Sequence, residues 1–281
     1  MVQGPDGQWD DQNFAGSGTL YKAEAGGDYS YRGADPAAYQ DAFDQETDTD
    51  EEDLTPLVEL LQFLDEAGDE EFAEQLPQRL DVEAFATYLA FEDLIGNLDD
   101  IDGPGNNSYL RYDEESGRFT VVAWDHSLAF GLSPGGRGGA PGGRVDGEPP
   151  AGMEPPEGLE LSEGLEVPEG LEAPEGGDFA GGPGPGGGGF GGSNVMVERF
   201  HEVPEFQAAY DQAAEDLQAS LCDSGVAQEI LDGWVAVLTE QAEDLVDAET
   251  VADGAAEVAA YFDGTPDGGA DAGNGRPSPD G

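Results

Sequence analysis

A Gly/Pro-dense stretch from Ser133 to Ser193 limits what this chain can fold into more than any other feature. "GGRGGAPGG" and "GGPGPGGGGFGG" bracket a six-residue repeat, "EGLELS", "EGLEVP", "EGLEAP". Glycine carries a high entropic cost of ordering and proline withholds a backbone donor, so such a segment cannot hold a packed core. A β-solenoid would need more turns and fewer prolines. The stretch therefore reads as a disordered insertion, and any core must be assembled from the residues on either side of it.

The flanks carry clear periodicity. "DLTPLVELLQFLDEA" sets Leu57, Leu60, Leu61 and Leu64 at helical spacing, with Thr55 as N-cap and Pro56 in the first turn. "DEEFAEQL" predicts a second short helix. "DVEAFATYLAFEDLIGN" predicts a third, burying Val82, Phe85, Tyr88 and Leu89 and ending near Gly96. "GTLYKA" (18–23) is a short strand candidate, and "SYLRY" and "RFTVVAW", joined by "DEESG", read as a β-hairpin. Beyond the insertion, Val195 to Glu202 and a longer segment opened by Pro204 and running to about Cys222 are helical. "AQEILDGWVAVLTEQAEDLV" and "ETVADGAAEVAAYF" add two helices with apolar stripes. Residues 1–18 read as irregular, 24–50 as loop with brief order around Tyr39 to Phe43, and the tail from Gly264 as disordered. The expectation is a mainly α chain with one small hairpin, an α+β class. It divides into an irregular 1–18, folded parts at 19–132 and 194–263, an insertion at 133–193 and a tail at 264–281.

Charge removes several functional classes. With 63 acids against 9 bases the formal charge is -54, so no basic patch can be assembled for nucleic acid or an anionic membrane. A disordered acidic chain would lack aromatics, yet this one carries 13 Phe, 9 Tyr and 3 Trp. A halophilic globular protein fits better, because at molar salt the Debye length falls to about 3 Å and self-repulsion is screened. Cys222 is the sole cysteine, so no internal disulfide exists. It reads as a neutral helix residue. No apolar run is long enough to span a bilayer, and no basic-then-apolar leader follows Met1.

The chemistry concentrates between Gly96 and Gly131, "GNLDDIDGPGNNSYLRYDEESGRFTVVAWDHSLAFG". An EF-hand loop fails here: with Gly103 at position 6, positions 1 and 12 fall on Leu98 and Tyr109. A kinase-like order of parts fares better, with a loop aspartate, a metal-binding asparagine, a tight hairpin and a second metal-binding aspartate. Asp99 and Asp102 precede Asn107, the hairpin follows, and Asp125 lies just beyond its second strand. A hairpin brings its ends together, so Asn107 and Asp125 are placed to share one hard cation such as Mg²⁺. A nearby carboxylate could then act on an attacking hydroxyl. The plainer alternative is a solvated acidic triplet (Asp99, Asp100, Asp102) and a turn-capping Asp125 and Asn107. His126 adjoins the site without an obvious partner, and His201 reads as structural. Two histidines and one cysteine make zinc a poor fit. Trp124, Trp234, Phe85 and Phe91 are expected in the core.

On "GTLYKA", "LDVEAFATYLAFEDLIGNLDD", "GNNSYLRYDEESGRFTVVAWDHSLAFG" and "RFHEVPEFQAAY" the chain resembles the spore-coat CotH kinases, an atypical protein-kinase-like family. That family shows an N-x-D-S-Y-like loop, then H-N-Y-Y-L-Y, a hairpin and P-W-D-L-x-x-x-F-G, often followed by a Gly-rich insertion. The resemblance implies Asp99 as loop aspartate, with Asp102 as runner-up, and Asn107 and Asp125 as the metal and cofactor-binding pair. It further implies a kinase-like C-terminal lobe using Mg²⁺ and ATP to phosphorylate Ser/Thr of a surface or secreted protein. Asn106, Ser108 and Ala123 depart from the family's His, Tyr and Pro. The chain begins near the junction after the family's nucleotide-covering lobe, and Lys22, its single lysine, matches the "LYK" position rather than the phosphate-contacting lysine. The resemblance thus also implies a lobe lacking its N-terminal partner. The competing expectation is a non-catalytic binding module with the fold kept and activity lost.

Overall fold

The structure is a computed structural model that describes residues 5–24, 27–47, 49–50, 52–103, 107–131 and 194–262. The insertion expected over 133–193 and the tail expected from 264 lie outside the described residues. Helices α1 (Gly7–Asn13), α2 (Thr55–Glu66), α3 (Asp69–Gln75), α4 (Val82–Ile95), α5 (Val195–Glu202), α6 (Pro204–Leu217), α7 (Val226–Gln241) and α8 (Ala248–Phe262) surround strands β1 (Gly18–Ala23), β2 (Phe43–Gln45), β3 (Ser108–Asp113) and β4 (Arg118–Ala123). The result is helix-rich with a small antiparallel sheet, which matches the α+β expectation.

That sheet is larger than a hairpin. β3 and β4 pair as expected, but β1 joins β3 and β2 joins β1, giving the order β2-β1-β3-β4. Period-2 alternation splits its side chains between two faces. Tyr21, Leu110, Phe119 and Val121 enter the main core with the apolar faces of α2, α4, α5 and α6. Leu20, Tyr109 and Val122 point the other way and are covered by Trp9, Phe14 and Trp124. Residues 7–13, expected to be irregular, are therefore helix α1, folded onto the second sheet face. Its N-cap is Asp6, which accepts from Trp9 N.

Other boundaries follow local chemistry. α2 buries Leu57, Leu60, Leu61 and Leu64 as the spacing predicts. Thr55 is not its N-cap, however: it is the first helical residue, and Asp53 Oδ1 accepts its N–H at 2.9 Å. Asp81 caps α4 by accepting from Ala84 N. Gly96 ends α4 in the left-handed region (φ 56°), where a β-carbon would also strike Tyr261 of α8 at 2.7 Å. Within residues 24–50 the brief order expected around Tyr39 to Phe43 takes the form of a 3₁₀ turn at Pro36–Tyr39 and strand β2. Pro204 opens α6, and the helical path continues through a π turn at Gln218–Asp223 that contains the half-buried Cys222. Phe85 is buried, Phe91 and Trp124 are partly buried, and Trp234, expected in the core, is 63% exposed on α7. Among the described residues no helix is long and apolar enough to cross a membrane.

Candidate functional site

Three chain segments converge at one end of the hairpin. α4 stops at Gly96 and releases the acidic loop into β3. β4 delivers Asp125 and a 3₁₀ turn, His126–Leu128. Phe130 N then donates to Ile95 O at 2.7 Å, closing the segment back onto the end of α4. The loop and the turn are thus tied to the same helix terminus.

Ser108 lies opposite Ala123 in the β3–β4 register, so Asn107 and Asp125 each sit within two residues of the last paired position. Extended regularly, the two strands would send Asn107 and Asp125 to opposite faces. The left-handed backbone of Asp125 (φ 52°, ψ 75°) breaks that alternation. Aspartate enters this region more readily than most residues, and Tyr29 and Phe130 share a positive φ. Asp125 Oδ1 also accepts from Ser127 N at 3.2 Å, the capping role that an ordinary turn would assign it.

Asp99 and Asn107 are brought together. Asn107 Nδ2 donates to Asp99 Oδ2 at 3.0 Å, which leaves the amide oxygen as the atom Asn107 can offer a cation. Both residues are half-buried and Asp125 is exposed, so the group is open to solvent. Asp102 is used differently: its Oδ1 accepts from Asn194 N at 2.7 Å at the start of α5. Burial raises its carboxyl above the usual range. Asp100 accepts from Asp102 N, and burial, reinforced by Glu92, Asp102 and Asp93, pushes it up to about 7.

Sequence reasoning missed the base of the site. Glu92 on α4 is 1% exposed, and its carboxylate accepts from Asn97 Nδ2 at 2.9 Å and from His126 Nε2 at 3.2 Å. One side chain thereby joins the helix, the loop and the turn that follows Asp125. The Glu92 contact raises the His126 imidazole above its ordinary value, against the opposing effect of burial. A signal was available: Glu92 falls at i+7 of the stripe Phe85, Tyr88, Leu89, an acid on an apolar helix face. Tyr88 OH accepts from Ile101 N at 3.1 Å, and burial raises its phenol. Tyr29 OH and Ser108 Oγ share a hydrogen bond of 2.9 Å beneath the start of β3. His201 is bound to Gln207 Oε1 through Nδ1 at 2.8 Å, the structural role expected of it.

The donor set suits a hard divalent ion that keeps other ligands. Among the described residues no group of three or more His, Cys, Asp or Glu could hold a metal by itself. Were Asn107 and Asp125 to share an ion, they would supply two oxygens and leave the other octahedral positions to water and phosphate, the habit of Mg²⁺. Two clefts of about 560 and 540 Å³ lie elsewhere, the first lined by Thr19, Asp53 and Tyr112, the second by Phe72, Arg199 and Pro204; neither borders the acidic loop.

Comparison with curated proteins returns no match. Comparison with family models matches residues 1–263 to the family described as CotH kinase protein, and the chain therefore belongs to the CotH kinase family, with the kinase-like function in general that this membership carries.

Proposed function

We propose that this chain contributes the catalytic lobe of a Mg-ATP-dependent phosphotransferase that modifies Ser or Thr hydroxyls of a surface or secreted protein. The observation that carries the reading is the Asp99–Asn107 hydrogen bond at the hairpin end, beside the left-handed Asp125. Family membership supports nucleotide and metal use in general. Asn107 Oδ1 and the carboxylate of Asp125 would hold Mg²⁺. The ion would neutralise charge on the phosphate oxygens. Asp99, oriented by the Asn107 amide, accepts the proton of the attacking hydroxyl. Asp102 anchors α5 and keeps the loop in place. Glu92 holds the loop and the Asp125 turn to a common helix.

Calorimetric titration with Mg-ATP tests the assignment. Wild type should release binding heat, Asp125→Ala should bind at least tenfold more weakly, and Asp99→Asn should keep nucleotide binding. Equal affinity for wild type and Asp125→Ala, or no heat from either, would overturn it.

A further inference from the structure

Helix α8 ends against the turn that carries Asp125. The ring of Tyr261, in the last turn of that helix, lies in a crevice between two glycines. A β-carbon at Gly96 would come within 2.7 Å of Tyr261 Cε1, and one at Gly131 within 2.7 Å of the Tyr261 hydroxyl oxygen. Both glycines hold a positive φ, 56° and 71°, so each position needs glycine for its backbone as well as for the room it leaves. Gly96 terminates α4, and Gly131 follows the Asp125 turn. Phe130, just before Gly131, also has a positive φ, 58°, in a region that a bulky residue rarely enters. Its N–H donates to Ile95 O at 2.7 Å, and its ring meets those of Tyr261 and Phe262 edge to face, with centroids 5.5 and 6.4 Å away. Those contacts are what hold Phe130 in that conformation.

α8 is itself anchored, so Tyr261 acts as a fixed stop. The helix packs on α7 and on the π turn, and Gln218 Nε2 of that turn donates to Phe262 O at 3.4 Å. α6, which runs into the π turn, packs along α4. The path from α4 through α6 and the π turn to α8 therefore closes on the Asp125 turn. We propose that Tyr261 is a positioning residue for Asp125: seated between Gly96 and Gly131, it holds the segment from Asp125 to Gly131 in the conformation that presents the Asp125 carboxylate to the cation. The inference rests on the reading of Asp125 as a ligand of that cation. Without the Tyr261 ring, Phe130 loses a lateral support for its left-handed backbone and for its bond to Ile95 O. The turn would then sample other conformations, and the Asp125 carboxylate would spend less time where Asn107 can share an ion with it.

The test compares the full chain with Tyr261→Ala, Tyr261→Phe and Val251→Ala at one fixed high salt concentration. Val251 is a buried residue of the same helix, about 15 Å along its axis from Tyr261, so its truncation weakens α8 packing away from the turn. Amide hydrogen exchange at Ala129 and Phe130 reads the turn, with the middle of α4 as internal reference. Calorimetric titration with Mg-ATP reads the carboxylate. Tyr261→Ala should speed exchange at both amides at least tenfold and weaken Mg-ATP binding at least fivefold. Tyr261→Phe, which keeps the ring, and Val251→Ala should stay within about twofold of wild type in both. If the alanine variant also loosens the middle of α4, Tyr261→Leu repeats the comparison with a milder truncation. Unchanged exchange in the truncated variants, an equal rise in Val251→Ala, or faster exchange with undiminished Mg-ATP affinity would each overturn the proposal. If wild type binds no Mg-ATP, the reading of the site fails, and exchange alone then decides whether Tyr261 holds the turn: a tenfold rise supports it and equality overturns it.

Discussion

Arg111 on β3 and Asp10 on α1 form an ion pair with side chains only 3% and 7% exposed. Arg111 Nε donates to Asp10 Oδ1 at 2.6 Å, and Nη2 donates to Asp10 Oδ2 at 3.3 Å and to Gly16 O at 3.2 Å. The guanidinium also lies 4.5 Å from the centre of the Phe14 ring. It fills the space beside Gly18, where a β-carbon would come within 2.5 Å of it. Asp10→Ala removes the buried anion and strands the cation. Stranding one partner of a buried pair costs about 3–5 kcal/mol. Here the lower end applies, about 3 kcal/mol, because Gly16 O and Asp113 remain as acceptors. The double variant Asp10→Leu/Arg111→Met leaves no buried charge and should lie within about 1.5 kcal/mol of wild type, since apolar replacement of a whole pair is often neutral. Urea melts at one fixed high salt concentration would read this. With a slope of roughly 2 kcal/mol per M, Asp10→Ala should lower the midpoint by about 1.5 M. A loss under about 1 kcal/mol, or a double variant less stable than either single one, would refute the reasoning.

Three further outcomes are expected. Glu92→Gln keeps one neutral acceptor and turns the other oxygen into an NH2 that faces a donor, so it should cost about 2 kcal/mol; a thermal melt unchanged from wild type would remove Glu92 from its role at the base of the site. Asp100 holds its proton to about pH 7 in the folded chain against an ordinary 3.8. Its contribution to stability is therefore full below pH 3.8 and declines as pH rises through 7, by at most ~4 kcal/mol, so urea midpoints of Asp100→Asn should fall less than those of wild type between pH 4.5 and 8; parallel profiles would contradict this. With a net charge of -54 the melting temperature should climb steeply from about 0.1 to 2 M KCl, as the screening length drops from ~10 Å to under 3 Å; a flat curve would end the halophilic reading.

What was legible in the sequence is what neighbours along the chain decide. The period of Leu57, Leu60, Leu61 and Leu64 produced α2, and Gly96 ended α4 because a left-handed stop suits glycine. "DEESG" closed the hairpin, and Pro204 opened α6. The order Asp99, Asn107, hairpin, Asp125 was also readable, and the family was legible through the resemblance of segments from "GTLYKA" to "RFHEVPEFQAAY". The capping of α2 was not: Leu54 takes the N-cap position without a side-chain bond, and Asp53, one residue earlier, accepts from Thr55 N instead.

Contacts between remote segments settled the rest. α1 is seven residues long and too short to be stable alone; it exists because Asp10 reaches Arg111, 101 residues away, and because Trp9 and Phe14 cover Leu20, Tyr109 and Val122. β2 is three residues whose order comes from pairing with β1. The joining of Glu92 to Asn97 and His126 needed α4, the loop and the turn to meet in space. α7 shows the limit most plainly. Its sequence determined an amphipathic helix with apolar residues on more than one side, but only packing chose Leu231 and Val235 for the inside and left Trp234 facing out. Periodicity depends on the chain's own geometry, whereas burial depends on which surfaces the rest of the fold supplies.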